Sequence, residues 1–460
     1  MSSNTSTGHT PFENWLRRLE SINPAHIALG LERVKVVLNR LALKWPVKPL
    51  IIEVAGTNGK GSTAALIAAA LGEAGIKTAL YTSPHVREFT ERFVIDGQQV
   101  SHEDLAAGLD AVQAACQTDI QLTYFEYATL AAYWCFHQAN VKVMVLEIGL
   151  GGRFDAVNAF DADIGVICSI GLEHTQLLGD SLRQIAFEKA GIIKQGAQVV
   201  AGVMAEEALA VIRARAAELN ATLLCQSEDF DGSVLGDGDE GELEFEDLGD
   251  GTLSRYPLPQ LPVECAKLAL EVLHLLRKRG YDLSDEIISA ALKKTTLPGR
   301  MQKVQSEPSV FLDVAHNPPA ALYLRTRLEQ RPVRGRRCAV IGMLKDKDIE
   351  GVLRICARCF ARIYTCSLPG VRGESSLRLT KALREQGYPK EAIFAYGSAR
   401  EALEAALPSL ESQDELIVFG SFVTVTAALD YFESKGVDLG EKGRNLRSES
   451  AKKSRKNKDK

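Results

Sequence analysis

GTNGKGST, residues Gly56–Thr63, decides how the rest of this chain is interpreted. The octapeptide follows the apolar run Leu50–Ala55, which predicts a strand, and precedes a helical pattern from about Ser62 to Ala74. Glycines let backbone N–H groups converge on phosphate oxygens, and a helix N-terminus adds its positive dipole. Lys60 can reach the outer phosphates, and a Ser62 or Thr63 hydroxyl can face a metal. A strand, a glycine-rich loop and a helix in this order predict a nucleotide-binding site.

The spacing of this loop differs from the usual G-x-x-x-x-G-K-[ST] pattern. Gly61 intervenes between Lys60 and Ser62, and Val54 stands where the first glycine is expected. The alternative interpretation is a flexible glycine turn with a solvent-facing lysine. Nucleotide binding is favoured because strand, loop and helix agree.

Short apolar runs alternate with helical patterns on both sides of this loop, which predicts an α/β fold with mostly parallel sheets. Seven further strands are expected after the strand that precedes the loop, in two series. The first series is Val141–Ile148, Ile164–Ser169 and Gln198–Val203; the second is Val310–Val314, Cys338–Gly342, Arg362–Ser367 and Leu416–Gly420. Leu261–Arg279 is predicted to be a long helix between the series. We expect domains at residues 1–297 and 298–435 and a disordered basic tail at 436–460, with a hinge at Pro298-Gly299.

Polar residues close several of the apolar runs. Ser83 follows the run that ends at Tyr81, Glu147 closes Val141–Leu146, and His174 follows Ile164–Ser169. Ligands gather at the carboxyl edge of a parallel sheet, and a carboxylate there suits magnesium. Each residue alone could be a helix cap or a satisfied polar contact, but together they predict a metal–phosphate site.

Composition excludes several classes of protein. The chain has 460 residues, 46% of them hydrophobic and 25% charged, which indicates two soluble domains. Its net charge of −5 makes nucleic acid a poor partner. The N-terminus carries no pattern of a signal peptide, no apolar run is long enough to span a bilayer, and nine scattered cysteines suit a reducing cytoplasm.

Two segments carry weaker signals. The acidic run Ser227–Gly251 could bind a cation, but an unpatterned acidic run is more often a solvated surface excursion. Cys356 and Cys359 form a lone C-x-x-C in Ile349–Ile363, a predicted amphipathic helix. A redox or zinc role is possible there, but packing explains small buried thiols.

Seven motifs follow one another in a specific order. They are GTNGKGST, YTSPHV, LTYFEY, EIGLGGRFDAVN, FEKAGI, LPGR and DVAHNP. In this order they resemble the bifunctional dihydrofolate synthase/folylpolyglutamate synthase family, within the Mur ligase superfamily. The resemblance runs from about residue 12 to 435.

The resemblance implies an ATP-binding N-terminal domain with a phosphate-binding loop and a smaller Rossmann-like C-terminal domain. It implies ATP contacts from Asn58, Gly59, Lys60, Gly61, Ser62, Arg300 and Asp313. It assigns magnesium to Ser83, Glu147 and His174. Lys189, in FEKAGI, is expected to be carbamylated and to hold a second magnesium, and His316 to lie near the transferred group. Each of these residues also has an alternative interpretation without a role in catalysis. Lys189 could be a lysine on the surface of a helix, and Arg300 a charged residue at the hinge. Asp313 could belong to a turn at the end of a strand, and His316 could cap a helix.

Six residues match positions that contact dihydropteroate in bifunctional members of the family: Leu29, Gly30, Thr123, Phe125, Glu126 and Asp155. Phe125 offers a stacking face, and Asp155 offers an acceptor for the pterin N–H groups. The alternative for Phe125 is an ordinary core aromatic.

Four positions depart from the family pattern. Cys265 replaces an asparagine expected near the adenine, Glu173 replaces an aspartate, Val423 replaces a histidine, and Ala28 replaces an aspartate.

The expected function is therefore ATP-dependent ligation of L-glutamate to dihydropteroate and to tetrahydrofolates, through an acyl phosphate, by a cytoplasmic monomer that needs ATP and magnesium. A folylpolyglutamate synthase without the dihydropteroate activity is an alternative. A Mur-type peptidoglycan ligase is disfavoured because little chain precedes the loop and LTYFEY would have no role. A nucleotide-responsive binding protein is disfavoured because Lys60, Glu147 and Lys189 are all present.

Overall fold

The computed structural model describes residues 10–22, 29–236 and 241–439, and within them the chain forms two compact units, the first ending at Thr295 and the second beginning at Thr296. Ala28 and the basic tail from residue 440 onward lie outside the described residues. None of the described helices is both long enough and apolar enough to cross a membrane.

The first unit contains ten helices and eleven strands in its described part. The helices are α1 Pro11–Ser21, α2 Glu32–Leu41, α3 Lys60–Glu73, α4 His102–Cys116, α5 Tyr124–Gln138, α6 Thr175–Leu178, α7 Leu182–Lys189, α8 Glu206–Glu218, α9 Val263–Lys278 and α10 Asp285–Lys294. The strands are β1 Leu50–Ala55, β2 Thr78–Tyr81, β3 Phe93–Ile95, β4 Gln98–Gln99, β5 Val143–Glu147, β6 Ile164–Ile167, β7 Gln198–Ala201, β8 Thr222–Cys225, β9 Phe230–Leu235, β10 Glu242–Asp247 and β11 Thr252–Pro257.

Eight of these strands form one sheet in the order β4-β3-β2-β5-β1-β6-β7-β8. The strands from β2 to β8 along this order are parallel, and β3 pairs antiparallel with both β2 and the edge strand β4. The register pairs Val54 of β1 with Glu147 of β5. Glu147 therefore lies at the carboxyl edge of the sheet, directly beside the loop that follows β1.

Helix α3 is buried on all faces, from Ser62 to Gly72 without interruption. It packs between the sheet and the helices α9 and α10. Its alanine-rich sequence permits this close approach from several sides. The helix that carries the glycine-rich loop is thus held rigidly by the core.

The second unit is a smaller α/β unit. Its helices are α11 Pro318–Glu329, α12 Ile349–Cys356, α13 Ser376–Glu385, α14 Ala399–Ala406 and α15 Phe422–Ser434, and its strands are β12 Gln302–Ser306, β13 Ser309–Leu312, β14 Arg337–Ile341, β15 Arg362–Cys366, β16 Ile393–Tyr396 and β17 Glu415–Phe419. The sheet order is β12-β13-β17-β14-β15-β16, with only β12 antiparallel. The predicted fold class is confirmed.

The acidic segment Ser227–Gly251 was wrongly predicted to be a solvated excursion. It supplies β9 and β10, which form an antiparallel three-stranded sheet with β11. Phe230, Leu243 and Phe245 are fully buried on one face of that sheet. The alternation of Leu243 and Phe245 with glutamates is a strand signal that the acidic composition obscured.

The amphipathic helix predicted at Ile349–Ile363 is also too long. Helix α12 ends at Cys356, a 3-10 turn covers Ala357–Cys359, and β15 begins at Arg362. Packing explains the two cysteines, because Cys356 is buried with its thiol donating to the Ala321 carbonyl (3.2 Å). Burial raises the pKa of both the Cys356 and Cys359 thiols, which disfavours thiolate chemistry.

Glu53, in the middle of β1, is a carboxyl group in an apolar environment. It is fully buried, and neither of its carboxyl oxygens has a hydrogen-bond partner among the residues that the structure describes. Burial raises its pKa well above 4.5. The folded protein therefore binds the Glu53 proton more tightly than the unfolded chain does, and stability falls as pH rises above that value.

We expect Glu53→Gln to stabilise the protein at pH 8, because the neutral amide removes the cost of a buried acid. The free energy of unfolding should rise at this pH, where the native carboxyl group would otherwise have to ionise in a buried position. The gain should shrink at lower pH. Urea unfolding at both pH values measures it, with the exposed Glu103→Gln on α4 as the matched control. An equal effect of the two substitutions would contradict the assignment.

Candidate active site

The loop between β1 and α3 has the geometry of a phosphate-binding loop. Gly56 and Gly59 have φ values of +151° and +89°, in the region that favours glycine. A Cβ at Gly56 would lie 3.0 Å from the Cβ of Cys168. The Asn58 N–H donates to the Ser169 hydroxyl (3.0 Å), which donates back to the Asn58 carbonyl (3.1 Å). The loop is therefore fixed to the segment after β6.

Two lysines converge on this loop. Lys60 Nζ donates to the Gly56 and Thr57 carbonyls (3.0 and 3.2 Å), and Lys189 Nζ donates to the same Gly56 carbonyl (2.9 Å). The cationic Lys60 and the N-terminus of α3 concentrate positive potential here, which suits a triphosphate.

Lys189 is not the surface lysine of the alternative interpretation, because only 4% of it is exposed. Burial first, and the neighbouring Lys60 second, lower its pKa to about 7. A large fraction of Lys189 is therefore a neutral amine at physiological pH. A neutral amine is the form that can react with carbon dioxide.

The three predicted metal ligands lie at the carboxyl edge of the sheet. Glu147 is buried, and its Oε2 accepts a hydrogen bond from the Ser83 backbone N–H (2.8 Å). A Cβ added to Gly61 would lie 3.3 Å from the same Oε2 atom, so the carboxylate lies against the first turn of α3. His174 adopts a positive φ of 50° and lines one cavity together with Ser83. A carboxylate, a hydroxyl and an imidazole beside a phosphate-binding loop are a donor set that fits a divalent metal.

A cavity of about 620 Å³ extends from Ser83 and His174 into the first unit. Its wall contains all six residues assigned to the pterin: Leu29, Gly30, Thr123, Phe125, Glu126 and Asp155. A Cβ at Gly149 would lie 2.5 Å from Cζ of the Phe125 ring, so only glycine there lets the ring take this position. The structure thus brings Ser83 and His174, two of the three predicted metal ligands, and the six predicted pterin residues to one cavity.

Thr123 and Glu126 have a structural role that the sequence analysis missed. They form a capping box at the start of α5, in which the Glu126 carboxylate accepts from the Thr123 N–H (2.7 Å). Arg33 also forms an ion pair with Glu126 (2.8 Å). The Thr-x-x-Glu spacing in LTYFEY was a sequence signal for this capping box.

Asp155 is the buried carboxyl group of the cavity. Its two oxygens accept hydrogen bonds from the Leu150 N–H (2.8 Å) and the Val157 N–H (3.0 Å). Burial nevertheless raises the pKa of Asp155 to about 7. Its protonation state therefore changes within the physiological range.

Two basic residues of the cavity wall were also missed. Arg92 Nε donates to Nδ1 of His85 (2.9 Å), and the Arg92 guanidinium lies over the Phe89 and Tyr124 rings. His85 belongs to the YTSPHV motif, in which only Ser83 was predicted to be a functional residue. No local signal pointed to Arg92, because it is positioned by packing against residues distant in sequence.

In the second unit, the structure brings together the three remaining candidates. Asp313 is buried and accepts from the Met301 and Ala315 N–H groups (2.9 and 2.8 Å), and burial raises its pKa despite the charge of Arg300. His316 Nδ1 lies 2.8 Å from the Val314 carbonyl oxygen. Phe422, missed in the sequence, lies beside both Arg300 and His316, with the Arg300 guanidinium 5.7 Å and the His316 ring 6.2 Å from the centre of its ring.

Three of the four departures from the family pattern lie in described segments. The Cys265 thiol donates to the Gly59 carbonyl (3.6 Å), so this side chain lies against the loop. Glu173 Oε1 lies 3.8 Å from His174 Nε2, and Val423 is 36% exposed at the start of α15. The fourth, Ala28, lies outside the described residues.

Comparison with known proteins gives concordant matches along the chain. Residues 54–229 match the Mur ligase middle domain, and residues 299–422 match the glutamate ligase domain of Mur ligases. The dihydrofolate synthase/folylpolyglutamate synthase of Escherichia coli K12 is 38% identical over 94% of this chain and 98% of its own.

Solved structures agree with these sequence matches. The structure of E. coli FolC in complex with DHPP and ADP matches with a TM-score of 0.85 and 38% identity, covering 94% of this chain and all of that one. A bifunctional folylpolyglutamate synthase/dihydrofolate synthase with Mn, AMPPNP and L-glutamate bound matches with a TM-score of 0.81 at the same identity and coverage.

Proposed function

Because the chain belongs to the dihydrofolate synthase/folylpolyglutamate synthase family and is an ATP-dependent ligase, we propose that it adds L-glutamate to 7,8-dihydropteroate and to tetrahydrofolates through an acyl phosphate. The observation that carries the proposal is the single cavity that joins Ser83 and His174, beside the phosphate-binding loop, to Phe125 and Asp155. A carboxylate bound with its ring system in this cavity would face the γ-phosphate.

The chain's own groups account for the first half of the reaction. Asn58, Gly59, Lys60, Gly61 and Ser62 hold the phosphates, and Lys60 stabilises charge on the transferring oxygens. Ser83, Glu147 and His174 are proposed to hold magnesium, which when bound neutralises phosphate charge. The acceptor carboxylate attacks the γ-phosphorus in line, giving an acyl phosphate and ADP.

The second half joins the amide. The amine of L-glutamate attacks the acyl phosphate, and the tetrahedral intermediate collapses with loss of phosphate. We assign Arg300 and Asp313 to the nucleotide and His316 to the neighbourhood of the transferred group. The clustering of these residues with Phe422 supports the assignment.

We further propose that Lys189 is carbamylated and holds a second magnesium. Its neutral amine attacks carbon dioxide, forming an N–C bond and releasing one proton, and the lysine becomes an anion. The depressed pKa of Lys189 supports this chemistry.

Nine free cysteines support the proposal that the enzyme works in the cytoplasm. We expect it to be a monomer that acts on small molecules.

Hydroxylamine tests the acyl phosphate. When it replaces L-glutamate, we expect it to attack the acyl phosphate of dihydropteroate and to give a hydroxamate in equal amount to ADP. Mass spectrometry of the pterin product measures this, and a reaction without ATP is the control. ADP formation without hydroxamate would contradict the intermediate.

Binding of the pterin should depend on pH through Asp155. The pKa of Asp155 is about 7, so the carboxylate that accepts the pterin N–H groups forms as pH rises from 6 to 8. Dihydropteroate affinity should rise over that range, and Asp155→Asn should lower it about tenfold or more, the value of a charged hydrogen bond.

Pterin fluorescence measures this affinity without turnover. The exposed Asp161→Asn is the matched control, since that side chain is 85% exposed. An unchanged pH profile in Asp155→Asn would remove Asp155 from the pterin site.

A further inference from the structure

A second cluster of potential metal ligands lies away from the cavity, between β10 and α9. Asp247 ends β10, and Glu271 and His274 lie on α9, three residues apart and therefore on one face of the helix. All three are buried, and one potential ligand atom from each lies within 4.8 Å of the others. Nothing in the proposed ligase reaction uses them.

Glu271 points to a missing partner in this cluster. It is only 3% exposed, and among the residues that the structure describes its Oε2 has no hydrogen-bond partner. A buried carboxylate oxygen without a partner is costly unless a cation or a proton satisfies it.

Charge around Glu271 is predominantly negative. Burial raises the pKa of Glu271 to about 7, and the neighbouring Asp247, Asp229 and Asp250 raise it further, while Lys278 acts against them. The Lys278 ammonium is already engaged by Asp247 Oδ2 (2.7 Å) and Asp250 Oδ2 (3.3 Å), and its side chain is 55% exposed. The protein's own cations therefore leave the buried carboxylate of Glu271 uncompensated.

The Tyr256 hydroxyl fixes which nitrogen of the His274 imidazole carries the proton. The Tyr256 hydroxyl donates a hydrogen bond to Asp285 Oδ1 (3.0 Å). Because its one hydrogen is used there, the hydroxyl oxygen accepts a hydrogen bond from Nε2 of His274 (3.3 Å). The lone pair of the neutral ring is then on Nδ1. Burial lowers the pKa of His274 to about 4, which keeps the ring neutral at physiological pH. This arrangement is typical of a metal ligand whose second nitrogen is held by an outer partner.

We propose that Asp247, Glu271 and His274 form a zinc site between β10 and α9. One imidazole and two carboxylates, with Glu271 and His274 on a Glu-x-x-His helix face and Asp247 on β10, are a donor set for a borderline divalent cation rather than for magnesium. Zinc bonds of about 2.0–2.2 Å require ligand atoms within about 4.4 Å of one another, so a small side-chain rotation completes the set. The ion would connect the three-stranded sheet to α9, which packs against the helix that carries the phosphate-binding loop.

Zinc titration of the full-length protein, stripped with a chelator and free of nucleotide, tests the site. We expect one zinc per chain after dialysis and a rise in Tm on adding zinc. Glu271→Gln keeps the size of the side chain and should weaken zinc binding by more than about 100-fold, since loss of an outer partner alone costs about 10- to 100-fold. The metal-free Tm of this variant should equal or exceed that of the native protein, because the buried acid is gone.

Further variants separate this site from other zinc ligands. His274→Gln should also abolish zinc binding. With two independent variants, the test still gives an answer if one of them fails to fold. Cys225→Ser, which alters the partly exposed cluster of Cys225, Glu228 and Asp229, and Glu147→Gln, which alters the proposed magnesium site, should both retain it. Equal zinc binding by native protein and Glu271→Gln, or a native Tm that zinc does not raise, would overturn the proposal.

Discussion

Replacing Lys60 with alanine is expected to lower the rate of ADP formation by about 10³-fold or more. Lys60 is the mobile cation of the phosphate-binding loop, and removing one preorganised charge from a transferring group has an effect of this size. Its ammonium donates to two loop carbonyls, at 3.0 and 3.2 Å, and it has no other hydrogen bond among the described residues. We therefore expect the variant to fold normally.

Circular dichroism and thermal unfolding verify the folding of Lys60→Ala, and Lys142→Ala, at an exposed position before β5, is the matched control. The control should retain full activity. A Lys60→Ala enzyme with near-normal turnover would remove this loop from the reaction.

The second large effect is expected at Lys189. Both Lys189→Ala and Lys189→Arg should lower kcat by about 10²- to 10³-fold, because neither side chain can form the carbamate that we propose as a ligand of the second magnesium. The comparison is informative because arginine keeps the positive charge. If Lys189 acted as a cation, arginine would retain much of the activity.

Two observations distinguish carbamylation from other roles of Lys189. Short carboxylic acids should partly restore the alanine variant, since they can occupy the position of the carbamate. A carbamate signal from ¹³C-labelled bicarbonate should appear in the NMR spectrum of the native protein and be absent from both variants. Native-like turnover of Lys189→Arg would contradict the proposal.

Local sequence predicted the central part of the first unit well. The glycine-rich loop lies between a strand and a helix as expected, because its glycines tolerate backbone conformations that other residues avoid. Glu147 could be placed at the carboxyl edge because it ends a continuous apolar run, and the register with β1 bears this out.

The features that the sequence did not predict depend on tertiary packing or are obscured by an unusual local composition. The acidic run around Leu243 and Phe245 forms strands because its few apolar residues share one buried face. Glu126 serves a capping box and an ion pair with Arg33, and the latter contact spans 93 positions of the chain. Arg92 and Phe422 could not be found because their partners come together only in the folded protein.

The central claim is tested most directly by ADP release from the purified protein with ATP, magnesium and L-glutamate, adding dihydropteroate or tetrahydrofolate separately. The account predicts turnover with both acceptors, with dihydrofolate and the glutamylated tetrahydrofolate as products. Turnover with tetrahydrofolate alone would leave a folylpolyglutamate synthase and contradict the roles given to Phe125 and Asp155. Turnover with neither acceptor would contradict the proposed function altogether.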